Sequence, residues 1–90
     1  IEAHLFIEGR RVQGVFFRQS AKHLAEELGL VGWIRNLDDG RVECVVQGEH
    51  TPADRFIVFA LHGPALARVE KVSVEFSEVF TEEDAFRIIV

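Results

Sequence analysis

The sequence predicts an α+β sandwich in which two helices cover one face of an antiparallel sheet. Three observations support this class: several segments alternate between apolar and polar residues, two segments have apolar residues at helical spacing, and the order is β-α-β-β-α-β. That order is typical of two interlocked split βαβ units. A chain of 90 residues has room for one such core. We therefore expect a single domain over residues 1–90.

The first strand and the first helix are predicted from two different periodicities. Ala3, Leu5 and Ile7 alternate with more polar positions, which is typical of a strand with one face better buried than the other. The helical spacing begins near Phe17 and is carried by the apolar residues Phe17, Ala21, Leu24, Ala25 and Leu28. Gly29 follows the last of them and favours a helix end there.

A hairpin and a second helix are predicted in the middle of the chain. Strand-like runs at 31–36 and 41–47 flank the turn LDDG, whose Asp-Gly step favours antiparallel pairing. Thr51 suits the N-cap, Pro52 the first helical position and Asp54 a capping box, so we expect a helix to begin there. The Gly-Pro pair in HGPALA ends this helix, because proline cannot continue it.

Two further strands complete the predicted sheet. Alternating apolar residues indicate a fourth strand and a short last strand, at Val72, Val74 and Phe76 and at Phe86, Ile88 and Val90. The complete pattern is that of a ferredoxin-like fold, with one antiparallel sheet and both helices on one face. Trp33 and the eight Phe residues are expected mainly in its core.

Composition and charge narrow the classes of function. The net charge of −5 argues against non-specific binding to nucleic acid or to an anionic membrane. No segment resembles a signal peptide or an apolar membrane span, so we expect a cytoplasmic protein. The lone Cys44 is expected to be buried, and the four His residues lack ligand spacing. A metal site is therefore not expected.

The stretch RRVQGVFFRQS, residues 10–20, concentrates positive charge in an otherwise acidic chain. It lies between a predicted strand and a predicted helix, where unpaired backbone N–H groups and the helix dipole attract anions. Gly14 allows the backbone to approach a ligand closely, and Arg18 adds a fork of charged donors that matches phosphate. The sequence therefore predicts a site for phosphate or carboxylate here.

Two segments resemble the signature segments of the acylphosphatases, VQGVFFR at residues 12–18 and GWIRN at residues 32–36. These small enzymes hydrolyse carboxyl-phosphate mixed anhydrides. The resemblance extends over nearly the whole chain, including GPALARVEKV, and Arg18 and Asn36 lie at the family's spacing. It implies a monomeric enzyme that needs no metal or cofactor and acts on small acyl phosphates, such as acetyl phosphate or carbamoyl phosphate.

The resemblance also implies roles for individual residues. Arg18 would bind the substrate phosphate, and Asn36 would orient the attacking water. The phosphate cradle would be formed by the backbone amides of Gln13, Gly14, Val15, Phe16, Phe17 and Arg18. No general acid is required, because a carboxylate leaving group has a conjugate-acid pKa of about 4 and phosphoryl transfer proceeds by positioning and electrostatics.

One spacing departs from the family's pattern. The family commonly has a glycine, one further residue and then Val-Gln-Gly-Val, whereas here both Arg10 and Arg11 separate Gly9 from Val12. In one interpretation Arg10 occupies the glycine position, at a cost of about 1–2 kcal/mol where positive φ is needed. In the other, one residue is inserted at the strand end and absorbed as a bulge.

Two alternatives to the enzyme follow from the sequence. The altered glycine spacing favours a non-enzymatic module that binds phosphate or carbamoyl phosphate, whereas the presence of both Arg18 and Asn36 favours the enzyme. An RNA-binding sheet of the same topology would need exposed aromatic residues on its central strands and a basic surface. Glu43, Gln47 and the acidic net charge argue against that function.

Overall fold

The computed structural model describes all 90 residues, Ile1 to Val90. It has two helices and five strands, in the order β1 (Glu2–Arg11), α1 (Phe17–Glu27), β2 (Val31–Asn36), β3 (Val42–Gln47), α2 (His50–His62), β4 (Arg68–Ser77) and β5 (Phe86–Ile88). Both helices pack on the sheet and on each other. The predicted α+β sandwich is confirmed, and the hairpin strands begin and end within one residue of the prediction.

The strands form one sheet in the order β4-β1-β3-β2-β5. The four longer strands pair antiparallel with one another, as predicted. Strand β5 instead runs parallel to β2, with Gly32 opposite Phe86 and Ile34 opposite Ile88. The sheet is therefore mixed. The reason is geometric. The C-terminal end of β4 lies at the same end of the sheet as the N-terminal end of β2. A chain that crosses the sheet at that end must therefore enter β5 in the direction of β2.

The two helices differ in how well their starts were predicted. Helix α1 begins at Phe17 and is followed by Gly29 in the left-handed region, as predicted. Helix α2 begins at His50, with Glu49 as the N-cap in extended backbone and no side-chain capping bond. The prediction of Thr51 as N-cap is therefore wrong. Pro52 is still tolerated, because N–H groups in the first turn have no partner within the helix.

The core lies between the helices and the sheet and contains a chain of aromatic rings. Ring centroids are 5.5 Å apart for Phe17 and Phe59, 6.0 Å for Phe59 and Phe56, and 6.1 Å for Phe56 and Phe86. These contacts couple the start of α1 to β5 through α2. Cys44 is buried in the core, as predicted, and burial raises the pKa of its thiol.

The expectation for the other aromatic residues is only partly correct. Phe16, Phe76 and Phe80 are exposed, and Trp33 is half-buried on the face of the sheet away from the helices. Along each strand, residues on that face alternate with residues in the core. Strand periodicity alone therefore does not tell on which of the two faces an apolar residue lies. Neither helix is long and apolar enough to cross a bilayer.

The face away from the helices contains an ion-paired cluster around Glu43. Its carboxylate oxygens lie 2.7 Å from His4 Nε2 and 2.7 Å from Arg35 Nε, and its side chain is 9 % exposed. Burial acts to raise the pKa of Glu43, but the hydrogen bonds from His4 and Arg35 outweigh it and hold the pKa below the usual value. The cluster therefore stabilises the ionised carboxylate.

Candidate active site

A cavity of about 330 Å³ opens where β1 and β2 end and α1 begins. This volume lies near the lower limit for ligand pockets and suits a small molecule. Nine residues line the cavity: Val12, Gln13, Gly14, Phe16, Phe17, Arg18, Gln19, Asn36 and Ile88. Six of the seven predicted site residues are among them. The exception is Val15, whose side chain is buried in the core and anchors the loop from beneath.

The loop between β1 and α1 contains two left-handed residues, Gly14 with φ of 72° and Phe16 with φ of 63°. A Cβ on Gly14 would meet no atom within 4 Å, so glycine is needed there for its backbone conformation and not for space. Phe16 is the N-cap of α1, and its carbonyl accepts a hydrogen bond of 3.0 Å from the Ser20 N–H. It is the chain's only residue other than glycine with positive φ.

The backbone amides predicted to form the cradle are unpaired. None of the six N–H groups from Gln13 to Arg18 donates a hydrogen bond to another part of the backbone. The first N–H groups of a helix have no partner within it, and the positive end of the α1 dipole adds to their field. Alternation of left-handed with other conformations is how loops of this kind direct several N–H groups toward one anion.

Arg18 is the second residue of α1, and its side chain borders the cavity. It forms none of the ion pairs in the structure, which involve His4, His23, Arg35, Arg41 and Arg87. No acidic residue lines the cavity. The guanidinium charge is therefore available to a bound anion, although the protein as a whole is acidic.

Asn36 is the last residue of β2 and lies on the helix-covered face of the sheet. Ile34, two residues earlier, is fully buried on that face, and Asn36 pairs across the ladder with the buried Val42. The Oδ1 atom of Asn36 is buried and has no hydrogen-bond partner. An unsatisfied buried acceptor costs about 1–3 kcal/mol, so its presence in a cavity indicates a functional constraint.

The side chain of Gln13 has a role that sequence reasoning missed. Its Nε2 donates hydrogen bonds to the carbonyls of Leu37 (2.8 Å) and Arg41 (2.9 Å), at the turn between β2 and β3. The sequence analysis assigned only the backbone amide of Gln13. A glutamine in a loop carries no periodic signal, and its partners are more than 20 residues away, so no local pattern predicted this contact.

The one additional residue before the loop is accommodated without a positive φ. Gly9 pairs with Val69 and Arg11 with Arg68, which leaves Arg10 unpaired as a bulge in β1. Arg10 does not have positive φ. The interpretation in which one residue is inserted and absorbed at the strand end is therefore correct. Arg10 and Arg11 are exposed and do not line the cavity.

The structure contains no group of three or more His, Cys, Asp or Glu side chains arranged to hold a metal ion. A second, shallower hollow of about 300 Å³ lies at the opposite end of β3 and includes Gln47, Glu82 and Glu83 among its lining residues. The Gln47 amide there is already bonded to Glu2, to the Thr81 carbonyl and to the Glu83 N–H. Glu82 and Glu83 also give this hollow negative charge, whereas no acidic residue lines the first cavity.

The fold and the cavity define a class of protein, an α+β sandwich with a cavity at the start of its first helix. The acylphosphatase family model matches residues 3–88. A curated acylphosphatase from Roseiflexus sp. (strain RS-1) is 49 % identical to this chain, over 97 % of this chain and 92 % of its own length. One from Pyrobaculum islandicum is 48 % identical, over 99 % of this chain and 94 % of its own length. The chain belongs to the acylphosphatase family.

Solved structures agree with this assignment. The crystal structure of the Bacillus subtilis acylphosphatase matches this chain with a TM-score of 0.94 and 31 % identity, over 99 % of this chain and 98 % of that one. The resemblance, the ferredoxin-like fold and the enzymatic activity inferred from the sequence are thus confirmed, and the chain is an acylphosphatase. No finding favours a non-enzymatic module.

Proposed function

We propose that the cavity at the start of α1 is the active site, where the chain hydrolyses small acyl phosphates to a carboxylate and inorganic phosphate. One observation carries the proposal: unpaired N–H donors, an unpaired guanidinium and an unsatisfied amide oxygen border a single cavity that has no acidic residue. Each of these groups has a complementary partner in a phosphoryl group and a water molecule.

The phosphoryl group is bound by the backbone amides of residues 13–18 and by Arg18. A guanidinium offers two parallel N–H donors to a phosphate, and charge-assisted hydrogen bonds of this kind are about twice as strong as neutral ones. The α1 dipole contributes roughly half a positive charge at the same point. The free N–H groups and the uncompensated charge of Arg18 support this role.

Asn36 orients the nucleophile. Its Oδ1 accepts a hydrogen bond from a water molecule, whose oxygen lone pair then points toward phosphorus. The new P–O bond forms as the bond from phosphorus to the bridging oxygen breaks, and the electron pair leaves with the carboxylate. The water proton passes to a phosphate oxygen of the substrate. An amide oxygen is no base, so Asn36 acts by positioning, which suffices for a good leaving group.

No metal or cofactor takes part in this proposal, because Arg18 and the amides supply the positive charge that the transferred group needs. We further propose that residues 1–90 act as one monomeric domain in the cytoplasm, on a small molecule and not on a nucleic acid. The acidic net charge and the position of Glu43 among the aromatic residues of the open sheet face support the last point.

The roles of Arg18 and Asn36 are tested by benzoyl phosphate hydrolysis, followed by ultraviolet absorbance with EDTA present. We expect turnover in the wild type and losses of about 10²-fold or more in Arg18→Ala and Asn36→Ala, by comparison with the loss of one oxyanion donor. Arg55→Ala, at an exposed position of α2, is the matched control for removal of an arginine. A folded Arg18→Ala or Asn36→Ala variant with wild-type turnover would exclude the assigned role.

A further inference from the structure

The cavity has an apolar surface that the phosphate chemistry does not use. Of its four apolar lining residues, Val12 and Phe17 are only 2 % exposed and belong to the core. Phe16 is 69 % exposed and Ile88 is 37 % exposed. These two side chains therefore supply most of the apolar surface that a ligand in the cavity would contact. The proposed mechanism uses only the backbone amide of Phe16 and nothing of Ile88.

The left-handed conformation of Phe16 helps to direct the N–H groups of the loop toward one anion, but that role does not require an aromatic side chain. A left-handed backbone is uncommon for residues other than glycine, asparagine and aspartate, and it costs on the order of 1 kcal/mol or more for an aromatic residue. The phenyl ring recovers little of this by burial, because it is mostly exposed. A strained residue with an exposed apolar ring at the mouth of an active site is therefore a candidate for substrate contact.

Ile88 reaches the cavity from a different element and is held rigidly. It pairs with Ile34 in the parallel ladder, and the adjacent Ile89 N–H donates a hydrogen bond of 2.9 Å to the Ile34 carbonyl. Phe86, two residues earlier, is buried against Phe56. Phe16 and Ile88 thus border the cavity from the α1 side and from the sheet edge, respectively.

We propose that Phe16 and Ile88 form an acyl wall, which binds the acyl group and makes the enzyme selective for acyl phosphates with an apolar aromatic or branched acyl group. This inference rests on the proposed function. The acyl carbon is joined to phosphorus through one oxygen, so the rest of the acyl group must leave the cradle next to it. Apart from the amide of Gln19, the exposed side chains that line the cavity are those of Phe16 and Ile88.

The wall also explains which acyl groups are disfavoured. Arg18 is the only charged residue that lines the cavity, and the phosphoryl group engages it. A second carboxylate or phosphate on the acyl group would find no second positive charge beside the two apolar side chains, and a methyl group would cover little of them. Contacts of an apolar group in a pocket typically change kcat/KM by about 10-fold to 200-fold.

The test compares benzoyl phosphate with acetyl phosphate in the wild type, Phe16→Asn and Ile88→Ala. The readout is kcat/KM for benzoyl phosphate divided by kcat/KM for acetyl phosphate. Any loss of phosphoryl binding lowers both values and cancels in this ratio. Asparagine accepts a left-handed backbone, so Phe16→Asn removes the ring and retains the loop conformation. Phe80→Ala removes another mostly exposed phenyl group, which lies outside the cavity, and is the matched control.

We expect the ratio to fall about 10-fold in Phe16→Asn and several-fold in Ile88→Ala, mainly through KM for benzoyl phosphate. Phe80→Ala should keep the wild-type ratio. A wild-type ratio in both cavity variants, with both substrates turned over, overturns the acyl wall and leaves the proposed function intact. A folded wild type that hydrolyses neither substrate overturns the proposed function, and the wall with it.

Discussion

The side-chain amide of Gln13 donates a hydrogen bond of 2.8 Å to the carbonyl of Leu37, the residue directly after Asn36. The same nitrogen donates a second bond to the Arg41 carbonyl, which also accepts the Leu37 N–H. Two bonds thus join the cradle loop to the turn after β2, and the third closes the turn itself. The amides that we propose to bind phosphate and the residue that we propose to orient water are therefore held at a constant separation, although 22 residues separate Gln13 from Asn36.

Loss of this tether should reduce turnover more than substrate binding. We expect Gln13→Glu, which keeps the shape but cannot donate, to lower kcat by about 10-fold and the free energy of unfolding by about 1–2 kcal/mol. The measurements are steady-state kinetics with benzoyl phosphate and urea unfolding. Gln19→Glu places the same charge at the same cavity without breaking the tether, and it should lose less turnover. Equal losses in the two variants would mean that charge, and not tethering, is responsible.

Asn36 should contribute to turnover but not to the stability of the fold. Its buried Oδ1 has no hydrogen-bond partner within the protein, so Asn36→Ala breaks no hydrogen bond of the fold. We expect the free energy of unfolding to stay constant or rise by about 1 kcal/mol, while turnover falls about 10²-fold. Urea unfolding of the wild type and the variant checks the first part. A clear loss of stability would show that Asn36 has a structural partner and would weaken its assignment to the water.

Two glycines in left-handed backbone offer a matched pair of substitutions. A Cβ on Gly14 (φ 72°) or on Gly40 (φ 95°) would meet no atom within 4 Å. Each change to alanine should therefore destabilise the fold by a similar amount, about 1–2 kcal/mol, through backbone strain alone. Only Gly14 lies in the cradle loop, so only Gly14→Ala should also raise the inhibition constant of inorganic phosphate. Weaker phosphate binding in Gly40→Ala as well would assign the effect to general loss of stability.

The Glu43 cluster should make stability depend on pH. The folded-state pKa of Glu43 lies below the ordinary value of 4.5, so its contribution is fully present above that value and is lost as the pH falls through the folded-state pKa. Because His4 and Arg35 are partly exposed, solvent screens the pairs and the contribution should be about 1 kcal/mol.

The measurement is urea unfolding of the wild type and Glu43→Gln from neutral to acid pH. We expect Glu43→Gln to be less stable at pH 7, and the difference from the wild type to shrink as the pH falls below about 4. Glu70→Gln, at an exposed position of β4 without an ion pair, should show no such convergence. A difference that stays constant with pH would mean that shape, and not ionisation, accounts for the effect of Glu43.

Local patterns predicted the elements that local interactions determine. Helix α1 could be placed because its apolar spacing and Gly29 lie within one segment, and the hairpin because LDDG lies directly between its strands. The start of α2 was misplaced because Glu49 caps the helix through its backbone conformation alone, whereas Thr51 is the better capping residue by type. The direction of β5 was not predictable, since it depends on which end of the sheet the chain crosses.

The sequence by itself determined the fold class, the family and the positions of Arg18 and Asn36, because periodicity, turn residues and signature spacing are properties of short segments. Only the tertiary structure decided that Arg10 is a bulge, that Gln13 ties the cradle to the β2–β3 turn and that Ile88 reaches the cavity. These features depend on strand register and on contacts across the sheet. Such contacts join residues that are far apart in the chain, so no local sequence pattern predicts them.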